Sequence, residues 1–123
     1  MKVLFDTHVV LWALADDPRL KKGHCDLFSN ADVELYVSSV TIWEITIKRA
    51  LGKLDAPDNI QEILLKGGCR PLPVSWRHAE AVGMLPALHS DPFDRLLIAQ
   101  AQVEQLRLAT TDVRIFDYDV TVI

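Results

Sequence analysis

The amino-acid sequence predicts an α/β fold with a mostly parallel sheet that helices cover on both faces. Three observations lead to this prediction. Short β-rich runs alternate with helical runs along the chain, which is typical of βαβ crossovers. One helical run near the C-terminal end is apolar around most of its circumference, so it is buried on more than one side. The length of 123 residues suits one domain but is too short for two, so we expect a single domain over residues 1–123.

The first half of the chain supplies two strands and three helices. KVLFD predicts a strand, and THVVLWALAD predicts a helix because Val9, Trp12 and Ala13 recur at helical spacing. Pro18 opens a second, shorter helix in PRLKKGHCDLFSN. The β-rich run ELYVSS predicts the next strand, and VTIWEITIKRALGKL predicts a helix with Gly52 near its end.

The second half repeats this alternation. DNIQEILLKGG predicts an amphipathic helix with a glycine stop, PLPVS a short strand, and WRHAEAVGMLP a helix that ends at Pro86. HSDPFDRLLIAQAQVEQL predicts a helix in which Asp91 is the N-cap, Pro92 the first helical residue and Asp94 the third. RLATTD and YDVTVI predict the last two strands.

Composition narrows the function classes. The net charge of −4 argues against a surface coated in basic side chains for nucleic acid, although a few cations beside bound metal can still hold a phosphate. No apolar run approaches the ~18 residues of a membrane span, and the start of the chain lacks the apolar core of a signal peptide. Cys25 and Cys69 stand far apart, without the spacing of metal ligands. We therefore expect reduced thiols in a cytoplasmic protein.

Two aspartates occupy corresponding places after predicted strands. Asp6 ends the first strand and Asp112 ends RLATTD, and each is the first charged residue after an apolar run. Ligands of open parallel sheets bind outside the carboxyl ends of the strands. Acids at strand ends also stabilise turns and helix caps, so a purely structural role remains the alternative for Asp6 and Asp112. If the following geometry brings the DPFD helix over this edge, Asp94 on its first turn faces Asp6 and Asp112.

Glu44 is a fourth candidate, because its neighbours in VTIWEITIKRAL are apolar on nearly all sides. It can form a helical ion pair with Lys48, or it can bind a cation, since a buried carboxylate is costly without one of these partners. Four converging carboxylates would repel each other strongly unless something positive sat among them. Hard cations such as magnesium take oxygen ligands, and they suit metal-assisted attack of water on a phosphodiester.

These residues resemble a known family. Asp6-Thr7 after the first strand, Glu44 in WEITIK, Asp94 in DPFDRLLIAQA and Asp112 in TTD are similar to the motifs of PIN domains and, more narrowly, of VapC-type toxins of toxin–antitoxin pairs. The resemblance covers essentially the whole chain, and DPFDRLLIAQA is its most specific piece. It implies a three-layer α/β/α sandwich, and it implies that Asp6, Glu44, Asp94 and Asp112 are the catalytic and metal-binding quartet.

The resemblance further implies a ribonuclease that depends on Mg²⁺ or Mn²⁺, acts on RNA and is held in check by a cognate antitoxin protein. The apolar helix faces add an expected homodimer. A non-catalytic binding module with the same fold, or a housekeeping nuclease, remains the alternative. A phosphatase of the haloacid dehalogenase type is disfavoured because His8 stands where it would need a second aspartate. A phosphoacceptor receiver domain is disfavoured because PLPVS offers no aspartate.

Side chains around the quartet have weaker assignments. We expect His8 to pack rather than touch substrate. The three tryptophans are expected to fill the core or a protein interface, with stacking on RNA bases as the alternative; they are Trp12, Trp43 and Trp76. Four basic residues are the best placed, by sequence, to meet phosphates near the acids: Lys48, Arg49, Lys53 and Arg95.

Overall fold

A computed structural model describes residues 1–123 and contains four strands and six helices. The strands are β1 (Lys2–Phe5), β2 (Glu34–Ser38), β3 (Cys69–Leu72) and β4 (Arg107–Ala109). The helices are α1 (Thr7–Leu14), α2 (Lys22–Leu27), α3 (Ser39–Ala50), α4 (Ile60–Lys66), α5 (Trp76–Ala81) and α6 (Pro92–Glu104), with 3₁₀ turns at Val82–Met84 and Val113–Ile115. None of these helices has both the length and the apolar character needed to cross a membrane.

The strands form one sheet in the order β3-β2-β1-β4, and every neighbouring pair is parallel. In this register Val3 of β1 lies opposite Leu35 of β2 on one side and Arg107 of β4 on the other. The predicted parallel sheet is therefore confirmed. The carboxyl ends of β1, β2 and β4 lie side by side at one edge, which is where an open parallel sheet binds its ligands.

Alternation along the strands sends side chains to two separate cores. Val3 and Phe5 pack on one face with residues of α1 to α4, and Phe5 stacks on Phe28 with ring centroids 4.7 Å apart. Leu4 points to the other face, where α6 supplies the largest share of the buried core. The α6 run around Leu97 is buried almost completely, as its apolar circumference predicts. Helices on both faces make the three-layer α/β/α sandwich that the resemblance implied.

Two element predictions are wrong. YDVTVI is not a strand, because tight turns occupy the chain up to Val120 and leave only an isolated bridge from Val122 to Leu108. The second helix begins at Lys22 instead of Pro18. The Asp17 carboxylate accepts a hydrogen bond from the Arg19 backbone N–H at 2.9 Å, and such a local bond favours a turn over a helix.

Candidate active site

Asp6 follows β1 directly and is almost fully buried, with 3% of its surface exposed. One carboxylate oxygen caps α1 by accepting from the His8 N–H at 3.3 Å. The other accepts from the Thr110 hydroxyl at 2.6 Å, and that hydroxyl in turn accepts from the Asp112 N–H at 3.1 Å. Thr110 therefore ties the ends of β1 and β4 together and fixes the orientation of the Asp6 carboxylate.

Glu44 lies on the second turn of α3, which starts where β2 ends, and only 2% of its surface is exposed. Its Oε2 binds the Lys48 ammonium at 2.5 Å, so the predicted helical ion pair exists. Its Oε1 is buried and has no hydrogen-bond partner. A buried acceptor without a partner is costly, so the Lys48 pair satisfies only half of this carboxylate.

Asp91 and Asp94 at the start of α6 have different roles, and Asp91 is the helix cap, as predicted. Asp91 Oδ1 accepts from the backbone N–H groups of Phe93 at 2.9 Å and Asp94 at 3.2 Å, which confirms Asp91 as the N-cap. The Asp94 side chain has no part in that cap. It is 5% exposed, and its Oδ2 lies 3.4 Å from Nε2 of His89. Asp94 therefore points into the protein toward the strand edge.

The surroundings of Asp94 disfavour its ionised form. The pKa of Asp94 is raised from 3.8 to about 6: burial is the largest cause, the negative charges of Asp6, Asp91 and Glu44 add to it, and the hydrogen bond to His89 opposes the rise. A raised carboxyl pKa means that the ionised form is poorly compensated by its surroundings. The site therefore offers a favourable place for added positive charge.

Asp112 joins the site through a cation and not through direct contact. The Arg114 guanidinium binds Asp112 Oδ2 at 2.6 Å, and the same Nη2 lies 3.6 Å from Asp94 Oδ2. Hydrogen bonds from Arg114 hold the pKa of Asp112 below its usual value. The Asp112 side chain is 22% exposed, more than the other three carboxylates, so it forms the outer rim of the site.

The four acids do not form a closed metal cluster with their side chains as they stand. No group of three histidine, cysteine, aspartate or glutamate side chains is close enough to hold one ion. Each carboxylate instead faces a basic side chain at 2.5 to 3.9 Å; these are His8, Lys48, His89 and Arg114. The residues nevertheless fit a hard divalent cation, because the donors are all carboxylate oxygens and Glu44 Oε1 has no partner.

Three contacts of the quartet were not predicted: Thr110, His89 and Arg114. Thr110 and Arg114 lie two residues on either side of Asp112, so sequence proximity was a signal that could have drawn attention to both. His89 lies five residues before Asp94, and its Nδ1 is 2.8 Å from the Tyr118 hydroxyl. That placement depends on how the loop before α6 folds back, which the sequence pattern does not encode.

Other predicted neighbours have different places. Arg95 is not free for phosphate, because its guanidinium donates to the Pro86 carbonyl at 2.8 Å and the Tyr118 hydroxyl at 3.0 Å. Arg49 likewise donates to the Pro57 carbonyl at 2.9 Å. His8 does not pack in the core, since 57% of its side chain is exposed.

None of the three tryptophans fills the core, so a protein interface remains of the two expected places. Trp76 is 90% exposed, Trp43 is 58% exposed, and Trp12 is half-buried at the edge of a pocket. Cys25 is exposed and Cys69 buried, and both are free thiols, as predicted.

Solved structures with the same fold come from several bacteria. The VapBC2 structure from Rickettsia felis, bound to a DNA fragment from its promoter, matches with a TM-score of 0.74 and 16% identity, over 100% of this chain and 98% of that one. A toxin–antitoxin complex from Klebsiella pneumoniae matches with a TM-score of 0.67 and 17% identity, over 98% and 95% of the two chains. VapBC-1 from nontypeable Haemophilus influenzae matches with a TM-score of 0.66 and 19% identity, over 100% and 97%.

The family model of the PIN domain matches residues 3–120 of the chain. No curated protein sequence matches. PIN domains are generally nucleases, and those nucleases typically use divalent metal ions, which agrees with an edge of the sheet where buried carboxylates repel each other. Because the family model spans almost the entire sequence, and the sheet and both helical layers have the matching architecture, this chain belongs to the PIN domain family.

Proposed function

We propose that this chain, acting as one domain over residues 1–123, is a divalent-metal-dependent endoribonuclease. Four residues would be its catalytic groups and the ligands of Mg²⁺ or Mn²⁺: Asp6, Glu44, Asp94 and Asp112. The observation that carries the proposal is the unmet negative charge at the sheet edge. The raised pKa of Asp94 and the unpartnered Oε1 of Glu44 both support a site built for an added cation.

The proposed role of each carboxylate depends on how deeply it is buried. The buried carboxylates of Asp6, Glu44 and Asp94 would hold the cation, and the less buried Asp112 would bind it from the outer side. Thr110 keeps the Asp6 carboxylate in one orientation, and His89 does the same for Asp94. When bound, a divalent ion would lower the pKa of a water and neutralise the charge that develops on the leaving oxygen.

The basic side chains of Lys48 and Arg114, which pair with the acids, would also serve to bind the substrate in this mechanism. Lys48 and Arg114 would be free to leave Glu44 and Asp94 if a divalent ion compensated these carboxylates instead. Both side chains are flexible and partly exposed, at 33% and 56%. Released at the rim of the site, they can bind the nonbridging oxygens of an RNA phosphate.

We further propose that the nuclease is the toxin of a toxin–antitoxin pair in the cytoplasm. The support is the fold shared with the VapBC2 structure from Rickettsia felis and with the toxin–antitoxin complex from Klebsiella pneumoniae. A cognate antitoxin can block the site with a basic side chain that competes for the carboxylates. Exposed apolar side chains such as Trp76, Met84 and Val113 support a homodimer.

One observation favours a second candidate, a non-catalytic PIN module that only binds a partner. Lys48 and Arg114 already neutralise Glu44, Asp94 and Asp112 in part, so the site can persist without a metal ion. A housekeeping nuclease without an antitoxin is a variant of the first candidate.

The two candidates separate in a cleavage assay. Purified wild-type protein is incubated with single-stranded RNA in Mn²⁺, in Mg²⁺ and in excess EDTA. We expect cleavage with either ion and none in EDTA; cleavage that is equal in EDTA contradicts metal dependence, and no cleavage under any condition favours the binding module. Expression in a bacterium with and without the neighbouring reading frame tests the toxin role, because growth arrest should be relieved by that neighbour and abolished by Asp6→Asn.

A further inference from the structure

A pocket of about 460 Å³ opens beside the acids, between α1 and the segment that follows α3. Glu44, Thr7 and His8 form the wall that it shares with the candidate active site. Its far side is formed by residues that no step of the proposed mechanism uses, among them Trp12 and Arg19. The size is that of a small-ligand site, and the position makes it continuous with the metal-binding edge.

Three planar side chains line this pocket as a platform. The imidazole of His8 lies beside the indole of Trp12 in a tilted arrangement, with ring centroids 6.0 Å apart and an angle of 49° between the planes. The guanidinium carbon of Arg19 lies 5.3 Å from the centre of the same indole. His8 and Arg19 keep 57% and 69% of their side chains exposed. A flat ligand can therefore pack against the open faces of His8 and Arg19, both of which contact Trp12.

Arg19 is held in place before any ligand arrives. Its Nε and Nη2 donate to the two carboxylate oxygens of Asp17 at 3.1 and 2.8 Å, which is the bidentate arrangement that orients a guanidinium plane. A stacking surface that is already oriented loses less conformational entropy when it binds.

The charges in the pocket favour a flat neutral ring over a bare phosphate. Asp17 is paired with Arg19, and Glu44 with Lys48, so these four charges cancel in two pairs. Lys53 and Asp55 line the rim, are exposed and take part in no ion pair. They offer one donor group and one acceptor group, which suits the polar edge of a nucleobase.

We propose that this pocket binds one unpaired nucleobase of single-stranded RNA, stacked on the platform of Trp12, His8 and Arg19, with its edge toward Lys53 and Asp55. This inference rests on the proposed function, because the base belongs to the RNA that is cleaved. A nucleotide seated here brings its adjoining phosphate to Glu44 and Lys48 at the mouth of the acidic site. A base that is paired within a duplex cannot enter, so the pocket selects single strands.

The direct test uses Trp12 as its own reporter. In the double variant Trp43→Phe/Trp76→Phe, Trp12 is the only tryptophan, and both replaced side chains are more than half exposed, so the fold should persist. A 2′-O-methyl RNA hexamer in EDTA is not cleaved, so binding is measured apart from catalysis. We expect quenching of Trp12 fluorescence by the single-stranded hexamer and none by the same sequence in a duplex.

Affinity measurements with a fluorescein-labelled hexamer complete the test in otherwise wild-type protein. Trp12→Leu and Arg19→Gln should each weaken binding by ~10-fold, the scale expected when a base loses its stacking partner. Trp12→Phe should restore most of the affinity, and Trp76→Leu is the matched control on an exposed tryptophan outside the pocket, with no change expected.

These binding measurements can fail or succeed independently of the cleavage assay that tests the proposed nuclease. No quenching, equal affinity of wild type and Trp12→Leu, or equal affinity for a hexamer without bases each overturns the pocket assignment. If the hexamer binds through Trp12 while RNA is never cut in Mn²⁺ or Mg²⁺, the nuclease proposal fails and the pocket assignment stands.

Discussion

Arg114 reaches the buried carboxylate of Asp94 at 3.6 Å from a largely exposed position on the 3₁₀ turn that follows β4. The same guanidinium holds Asp112, so one basic side chain compensates two acids of the quartet. A divalent ion bound among these carboxylates would meet the repulsion of that guanidinium. If the proposed metal binds here, we therefore expect Arg114 to compete with it for these carboxylates.

The first prediction follows from this competition. Arg114→Gln should raise the affinity for Mn²⁺ by a few-fold, because the ion no longer displaces a charged neighbour. Isothermal titration of wild type and variant with Mn²⁺ measures the change. Arg107→Gln is the control, since Arg107 is exposed at the opposite end of β4. A weaker Mn²⁺ affinity in Arg114→Gln would show that Arg114 supports the metal-bound form and does not oppose it.

A second prediction concerns the half-satisfied carboxylate of Glu44. Lys48→Gln leaves a buried negative charge without its partner and should lower the free energy of unfolding in EDTA by about 1–3 kcal/mol. Saturating Mn²⁺ should recover the loss, because an ion that binds only the folded state stabilises it. Chemical denaturation with and without Mn²⁺ measures both effects.

The chain offers a matched control for this experiment. Lys66 and Glu62 form an ion pair with the same helical spacing at 2.8 Å, but 76% and 58% of their side chains are exposed. Lys66→Gln should change the free energy of unfolding by less than about 0.5 kcal/mol, with no response to Mn²⁺. Equal effects at the two sites would mean that burial of Glu44 carries no cost.

The sequence predicts an element well when the interactions that form it lie within a few residues of one another. The start of α6 was predicted residue by residue, because Asp91 and Pro92 act on the backbone of their own first turn. The prediction that Asp6 and Asp112 lie at the same edge needed only a parallel sheet, because both residues follow strands. The structure makes these strands, β1 and β4, neighbours. The YDVTVI strand was wrong because its pairing depends on how much chain the preceding turns use.

The unpredicted part of the site consists of side-chain contacts across elements. Thr110 meets Asp6 over a sequence separation of 104 residues, and His89 reaches Asp94 from a loop. The tryptophans were left between core and interface for a related reason. Their size predicts burial of one kind or the other, and in the single chain Trp43 lies against Phe93 at the surface while Trp12 is partly covered by Arg19. Only the packing of neighbouring helices decides such placements.

The raised pKa of Asp94 gives a third prediction, on pH. Between about pH 4 and pH 6 the folded state keeps a proton on Asp94 that the unfolded state has lost, so the free energy of unfolding should fall as pH rises through this range. The decrease is at most about 3 kcal/mol. It should be absent in Asp94→Asn, which should be more stable than wild type above pH 6 and similar to it near pH 4.

Denaturation in EDTA at several pH values measures this difference. His89 and Arg114 also face Asp94, and comparing the two proteins at each pH removes whatever they contribute equally to both. Curves that stay parallel from pH 4 to pH 7 would show that Asp94 is adequately compensated without metal.

A fourth prediction tests the link between β1 and β4. Thr110→Val removes the hydroxyl that donates to Asp6 and accepts from the Asp112 N–H, so it should lower RNA cleavage by ~10-fold and the free energy of unfolding by about 1–2 kcal/mol. Thr110→Ser keeps the hydroxyl and should retain activity. Cleavage rates in Mn²⁺ distinguish the two, and an inactive Thr110→Ser would mean that the methyl group matters more than the hydrogen bonds.

A comparison of Asp94→Asn with Asp91→Asn distinguishes a carboxylate that binds the proposed metal for RNA cleavage from one that only caps the helix. Both changes remove one negative charge from the first turn of α6, and asparagine at position 91 still caps the helix. In Mn²⁺ we expect Asp94→Asn to cleave single-stranded RNA at least ~10²-fold more slowly than wild type, while Asp91→Asn stays within a few-fold of it. Normal cleavage by a folded Asp94→Asn protein would mean that Asp94 does not serve a catalytic metal.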